Sequence, residues 1–431
     1  MQLKRIKANR IYMLMIFVAL YPILPSYNRI GDCTSYLILA LLFFAIYLIR
    51  KAHNIMFVDK KYAQLSVAII LLYSVGFIYN DQPERIVFEL LDVWLPITLM
   101  CLALYDDYNK ENIEKLITVL IVASSFLCVS GLIEHFTSFN LFSLIENMTY
   151  ENPNFGSIQA NRFGIIRIEQ SFNTALTFAL YLVMAFSLTA YRFITRRKII
   201  YFIIMALQIV NILFTLTRGV TLIFLAGAFG MLWINRRAIG LNRFLTILFG
   251  ALCAIILAFY MFPQLSELVE GLMDSTLQVL SRTSRLVDES SRMRSNYQMA
   301  AFNALKNPRV VVFGVGEYEL RRMISIDNEW LLELTGYGMF GIVGFVLLLS
   351  HPLLISIKGI LLSKKHGLST ARVFFNCMLI LMIEYMVSLY TVAQMAEARM
   401  FYVIYVIICF YFKTERRQIW HDGVNGNIEL Q

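Results

Sequence analysis

The residues best suited to chemistry are few, and several share one stretch. Residues 326–344 read IDNEWLLELTGYGMFGIVG, opening on Asp327, Asn328 and Glu329 before turning apolar. A carboxylate there can accept a proton from a reacting hydroxyl. Upstream, Arg282, Arg285, Arg292, Arg294, Arg309, Arg321 and Arg322 crowd a single segment. Arginine forms planar, bidentate pairs with phosphate. The alternatives are a solvated charged face or contact with anionic lipid headgroups. Two more arginines, Arg162 and Arg167, lie in NRFGIIRIEQSFNTA, and Arg218 stands in FTLTRGVTLIF with almost no loop around it. Arg218 can snorkel outward or point into a cavity, where ionisable groups are often functional. The histidines (His53, His135, His351, His366 and His421) are scattered, so no metal site is expected.

The elements that must hold these residues are membrane helices. The chain has 431 residues, 58% of them hydrophobic and 16% charged, against about 25% charged in a soluble domain. Its mean hydropathy is +0.64. Backbone in lipid must pair internally, and the apolar runs are continuous rather than alternating, so helices are expected and a barrel is excluded. Apolar windows predict twelve spans, near 11–25, 35–49, 63–79, 86–104, 113–133, 171–191, 199–216, 219–234, 243–262, 330–350, 373–390 and 399–412. The first reads as an uncleaved span, since no small-residue cleavage site follows it.

The organisation follows: membrane helices over 1–133, 171–262 and 330–412, loops over 134–170 and 263–329, and a tail over 413–431. Of the 38 Lys and Arg residues, 24 fall on the side that carries both termini. That side is therefore expected to be cytoplasmic. The net charge of +9 is mostly this topology signal, with no nucleic-acid partner implied. Cys33, Cys101, Cys128, Cys253, Cys377 and Cys409 suggest no disulfide framework.

Within the second loop, apolar residues at Met293, Tyr297, Ala300, Ala301 and Leu305 predict an amphipathic helix over 291–306. Pro308 is expected to end it, and Gly314-Val315-Gly316 to form a tight turn. The segment reads as an ordered cap over the outer mouth of the bundle. Asp327 is the expected cap of the next helix, and Gly336, Gly338, Gly341 and Gly344 are expected to permit close helix contact. The charges Arg85, Glu89, Asp92, Glu384, Glu397 and Arg399 are read as structural pairs.

Four motifs carry a resemblance. Thr217-Arg218-Gly219, the series Tyr297…Pro308…Gly314-Val315-Gly316 and the run DNEWLLELTGYGMFG occur in that order, and the stretch NRFGIIRIEQSFNTA, a weaker match, precedes them. Together they resemble the O-antigen ligase and polysaccharide polymerase family of bacterial inner membranes, over roughly residues 160–350. The resemblance implies an all-helical, GT-C-like inverting glycosyltransferase in the inner membrane. It implies an undecaprenyl-pyrophosphate-linked saccharide as donor and as acceptor, with no cofactor and no divalent metal. A flippase and a chain-length regulator are the partners such a pathway suggests. Arg218 with Arg292 or Arg294 is expected to grip the pyrophosphate, and Arg162, Arg167, Arg321 and Arg322 are further substrate-binding candidates. The family's histidine falls on Asp327, which becomes the expected base, with Glu329 in reserve. That replacement favours a polymerase over a ligase. A flippase or transporter is the remaining alternative, although the long loops lie outside.

Overall fold

The computed structural model describes residues 14–20, 60–76, 94–104, 109–137, 139–142, 161–162, 165–170, 172, 174–240, 289–315, 328–390 and 400–428. The predicted spans 35–49 and 243–262 lie outside them. The described chain is helical apart from one short antiparallel pair, β1 (Asn161–Arg162) and β2 (Ile165–Ile166). Among the described residues four helices are long and apolar enough to cross a membrane: α3 (Lys110–Thr137), α4 (Ala175–Arg196), α10 (Glu329–Lys365) and α11 (Ser369–Ser388). Around them stand α1 (Lys60–Ser74), α2 (Leu95–Ala103), α5 (Ile199–Phe214), α6 (Arg218–Ile234), the short α7 (Arg236–Ile239) and α12 (Met400–Ile428). Two further helices, α8 (Glu289–Ala304) and α9 (Pro308–Phe313), come from the arginine-rich segment.

The centre of the bundle is α4. Its side chains are buried on nearly every face, as expected of a helix apolar all round and enclosed by others. Thr174 caps its start by accepting from the Thr177 N–H, and Arg197 closes its end in the left-handed conformation. By contrast α5 and α6 leave Ile199, Phe202, Ile203, Leu222, Leu225 and Phe229 exposed, a surface suited to lipid.

Polar side chains tie the spans together where apolar contact alone discriminates little. The Gln208 amide of α5 donates to Ser124 of α3 at 3.0 Å and to Thr189 of α4 at 3.2 Å. Asn211 donates to the Cys128 carbonyl at 3.1 Å, and a Cβ at Gly131 would stand 2.2 Å from the Asn211 Oδ1. Along α6 and α11, Asn376 donates to Asn235 at 2.9 Å.

The bundle has two unlike ends. At one, Lys110, Arg192, Arg196, Arg197, Arg236, Arg237, Lys364, Lys365, Arg372, Lys413, Arg416 and Arg417 gather at helix ends and turns. Arg192 is buried there, paired with Glu114 and donating to Thr118 at 3.0 Å. The Tyr191 hydroxyl donates to the same carboxylate at 2.6 Å and meets the Tyr411 hydroxyl at 3.2 Å. Lys110 pairs with Glu415 at 2.5 Å. This network fastens α3, α4 and α12 at the basic end.

Helix boundaries differ from the hydropathy windows in one consequential place. The window 330–350 belongs to a helix of 37 residues, about 55 Å if it were straight. It is not straight. Gly338 has φ 68° and ψ −161°, a backbone region open in practice only to glycine. The arm Glu329–Tyr337 bends back, bringing the Trp330 and Phe345 ring centroids to 5.0 Å. Fifteen residues of straight helix would separate them by about 22 Å.

Beyond the break, exposed apolar side chains run from Met339 to Leu361. That is about 33 Å of helix, close to the thickness of the hydrocarbon core of a bilayer. Gly338 stands at one edge of this belt and Lys364 beyond the other. The bent arm re-enters the belt, since the Glu329 N–H donates to the Leu389 carbonyl just past α11 at 2.9 Å.

Candidate functional site

The break at Gly338 is filled by backbone from the arginine-rich segment. Gly314, with φ 78°, follows α9, and a Cβ there would stand 2.0 Å from the Gly336 carbonyl oxygen. A Cβ on Gly338 would stand 2.4 Å from the Val312 carbonyl oxygen. The Val315 N–H donates to the Thr335 carbonyl at 2.9 Å. The two glycine motifs thus meet main chain to main chain. Irregular backbone at membrane depth is tolerated where protein encloses it, as here.

The expectation for the preceding proline needs correction. The helix ends at Ala304, and Pro308 occupies the first turn of α9, capped by Asn307, whose side chain accepts from the Arg309 N–H at 3.0 Å. Proline is favoured at that position because the first turn needs no N–H from it. The amphipathic helix itself is present, and Ala301 docks on Leu331 and Leu332 of the bent arm. Arg294 stands seven positions before Ala301, on the same helical face, whereas Arg292 stands nine before it, on the opposite face.

The bent arm brings two carboxyls inside the protein. Glu329 and Glu333 are both buried and, four residues apart, share a face. Tyr73 of α1 reaches between the arms of α10. It shares a hydrogen bond with the Glu333 carboxyl, with Glu329 and Tyr402 near enough to act on it electrostatically. Its ring lies edge-on to Tyr337 at 4.9 Å and 3.1 Å from where a Cβ on Gly344 would be. So Gly344 does serve close helix contact, while Gly338 serves a break. The cap of α10 is Asn328, whose side chain accepts from the Leu331 N–H at 3.0 Å, not Asp327 as expected. Asp327, Arg321 and Arg322 lie outside the described residues.

The Thr-Arg-Gly turn stands at the same end. Leu216 adopts φ 53°, a turn that drops α5 into α6 with Thr215 and Thr217 buried and their hydroxyls 2.8 Å apart. Arg218 is the first residue of α6. The Arg167 Nε donates to the Thr215 carbonyl at 2.9 Å, and the Ile168 N–H to the Phe214 carbonyl at 3.3 Å. Thus the hairpin carrying Arg162 and Arg167 is pinned against the turn that carries Arg218.

Beside it, burial raises the Glu169 carboxyl above its ordinary range, partly offset by Arg167 and by the Ala175 N–H. The buried Glu134 accepts from the Gln170 side chain and backbone N–H and from Asn140.

These groups converge through α11. Val220 of α6 and Ser388 of α11 line one cavity with Leu180 and Val183 of α4. The starts of α4, α6 and α10 therefore all lie at the α11 C-terminal end. Three helix N-termini carry partial positive charge toward that end, and arginines stand among them. Such a place suits an anion, with Glu329 as a carboxyl nearby.

No family model matches the chain, and neither does any curated protein. The candidate site accordingly stands on its own geometry. The structure brings together Arg167, the Arg218 turn and Glu329, with the helix of Arg292 and Arg294 docked on the Glu329 arm. It adds Glu333 and Tyr73, which the sequence reading did not single out. The four-residue spacing in NEWLLE was the available signal for Glu333. Tyr73 carried none.

Proposed function

We propose that the protein is a polysaccharide polymerase. It joins undecaprenyl-pyrophosphate-linked repeat units by inverting glycosyl transfer on the outer face of a bacterial inner membrane. The supporting observation is the gathering of Arg167, the Arg218 turn and Glu329 at the end of the bundle opposite its basic end. In this reading the basic end is cytoplasmic, and further spans complete a GT-C-like bundle of about twelve helices.

The hydroxyl of the incoming unit attacks the anomeric carbon of the donor as that carbon's bond to the pyrophosphate oxygen breaks. Negative charge grows on the leaving pyrophosphate. Arg218 and Arg294 hold it, Arg294 being preferred to Arg292 because its position shares the docked face of α8. Preorganised cations at developing charge lower the barrier. The proton of the attacking hydroxyl passes to a carboxylate, Asp327 or Glu329.

The test is the glycan profile of a deletion strain carrying variants. Arg218→Ala should reach the membrane in normal amounts yet leave single repeat units, as should whichever of Asp327→Asn and Glu329→Gln removes the base. Asp327→Asn separates the two bases, since only the true base variant loses chain extension. Normal long polymer from Arg218→Ala overturns the assignment. Long polymer retained on the carrier lipid would instead mark a ligase.

A further inference from the structure

Glu384 lies within α11 and was expected to form a structural pair. It does not: among the described residues neither carboxyl oxygen has a hydrogen-bond partner or a cation, and the side chain is 4% exposed. The carboxyl points across the α6–α11 interface onto Gly227. A Cβ on Gly227 would lie 1.6 Å from the Glu384 Oε1, so the missing side chain is the space the carboxyl occupies.

The remaining wall is a cavity lined by Leu180, Val183 and Met184 of α4, Val220, Ile223 and Phe224 of α6, and Leu381, Tyr385 and Ser388 of α11. About 10 Å³ of it is open to the centre of a water molecule, the room one buried water needs.

The geometry points to Glu384 as an intramembrane proton-binding site: a carboxylic acid held in a glycine notch beside a one-water cavity. A bare negative charge walled by hydrocarbon is strongly disfavoured, whereas the neutral acid is tolerated. Among the described residues no cation pairs with it. Besides Glu384, Tyr385 is the titratable group that lines the cavity, and Cys377 lies about two turns away along the same helix.

A metal ion does not fit. A hard cation takes six or so oxygens. Here there are the two carboxyl oxygens and two hydroxyls, and the Ser388 hydroxyl already donates to the Tyr385 carbonyl at 2.7 Å. The site sits about 8 Å of helix rise from Leu389, whose carbonyl receives the Glu329 N–H. It therefore places a proton-carrying group directly beneath the candidate site, whatever reaction that site performs.

Lipid-soluble carbodiimide reports such a group. The acid adds across one C=N bond: its oxygen bonds the central carbon, its proton goes to nitrogen, and nothing leaves. The O-acylisourea then rearranges to a stable N-acylurea. The experiment treats the full-length protein in lipid nanodiscs with dicyclohexylcarbodiimide or with a water-soluble carbodiimide, and maps adducts by mass spectrometry.

The expected result is an adduct on Glu384 from the lipid-soluble reagent, at least tenfold above the water-soluble one and declining as pH rises. Glu384→Gln should remove it. Gly227→Ala, which fills the notch, should change the labelling rate severalfold while Glu384 itself is untouched. An unmodified Glu384 peptide, equal labelling by both reagents, or unchanged labelling in Gly227→Ala would each overturn the inference. The wild-type comparison decides even if a variant fails to fold.

Discussion

At the scale of single residues, charge inside the bundle divides into two kinds. Arg192 is paired: it meets Glu114 and Thr118, and its carboxylate partner also receives Tyr191. Glu384 has no hydrogen-bond partner among the described residues and lies against glycine and a mostly apolar wall. The first is a fastening, whereas the unpartnered carboxyl is the candidate proton site. Removing one partner of a buried ion pair strands the other and costs about 3–5 kcal/mol. Arg192→Ala should therefore lower the thermal unfolding midpoint in detergent markedly, with Glu114→Gln doing much the same. The double variant should lose less than the sum of the two, since the cost is shared. Full additivity would show that the pair contributes nothing.

None of this was legible in the sequence. Arg192 looks like one more basic residue near a helix end, and its partner is 78 residues away. Glu384 looks like any lone carboxylate until Gly227 is placed against it.

At the scale of elements, hydropathy read α3, α4 and α11 well because their burial follows from composition. It failed at Gly338. The apolar pattern of GYGMFG runs on through the break, and a glycine there fits close packing as well as a bend. What decides is a partner 24 residues earlier, Gly314, whose absent Cβ lets the Gly336 carbonyl approach. Pro308 was ambiguous for a similar reason, since proline both follows one helix and begins another.

The interlock makes a graded prediction. Gly314→Ala and Gly338→Ala each add a positive-φ penalty on the order of 1–3 kcal/mol and a clash with main chain that cannot swing aside. Both should abolish chain extension and destabilise the fold. Gly344→Ala meets only the edge of the Tyr73 ring at 3.1 Å and should be far milder. Equal loss in all three, by thermal unfolding and by glycan profile, would show that the glycines act merely as small residues.

At the scale of the whole molecule, the two ends differ in what they can do. The basic end gathers lysines and arginines from all four membrane-length helices described, while the far end gathers helix starts, the Arg167–Thr215 contact and the re-entrant Glu329 arm. Positively charged flanks resist translocation, so the basic end should face the cytoplasm and the candidate site the opposite compartment. Substrates presented outside would then meet Glu329 without crossing the bundle.

Single cysteines test this directly. Phe139 is exposed just past the far end of α3, and Arg237 is exposed at the basic end. The described native thiols, Cys128, Cys377 and Cys409, are buried, and the wild-type chain serves as the blank. In intact spheroplasts a membrane-impermeant maleimide should label Phe139→Cys and spare Arg237→Cys until the membrane is opened. Labelling in the reverse order would put Glu329 and Arg218 on the cytoplasmic side. An outer-face polymerase could not then be sustained, while the Glu384 proton site would stand unaffected.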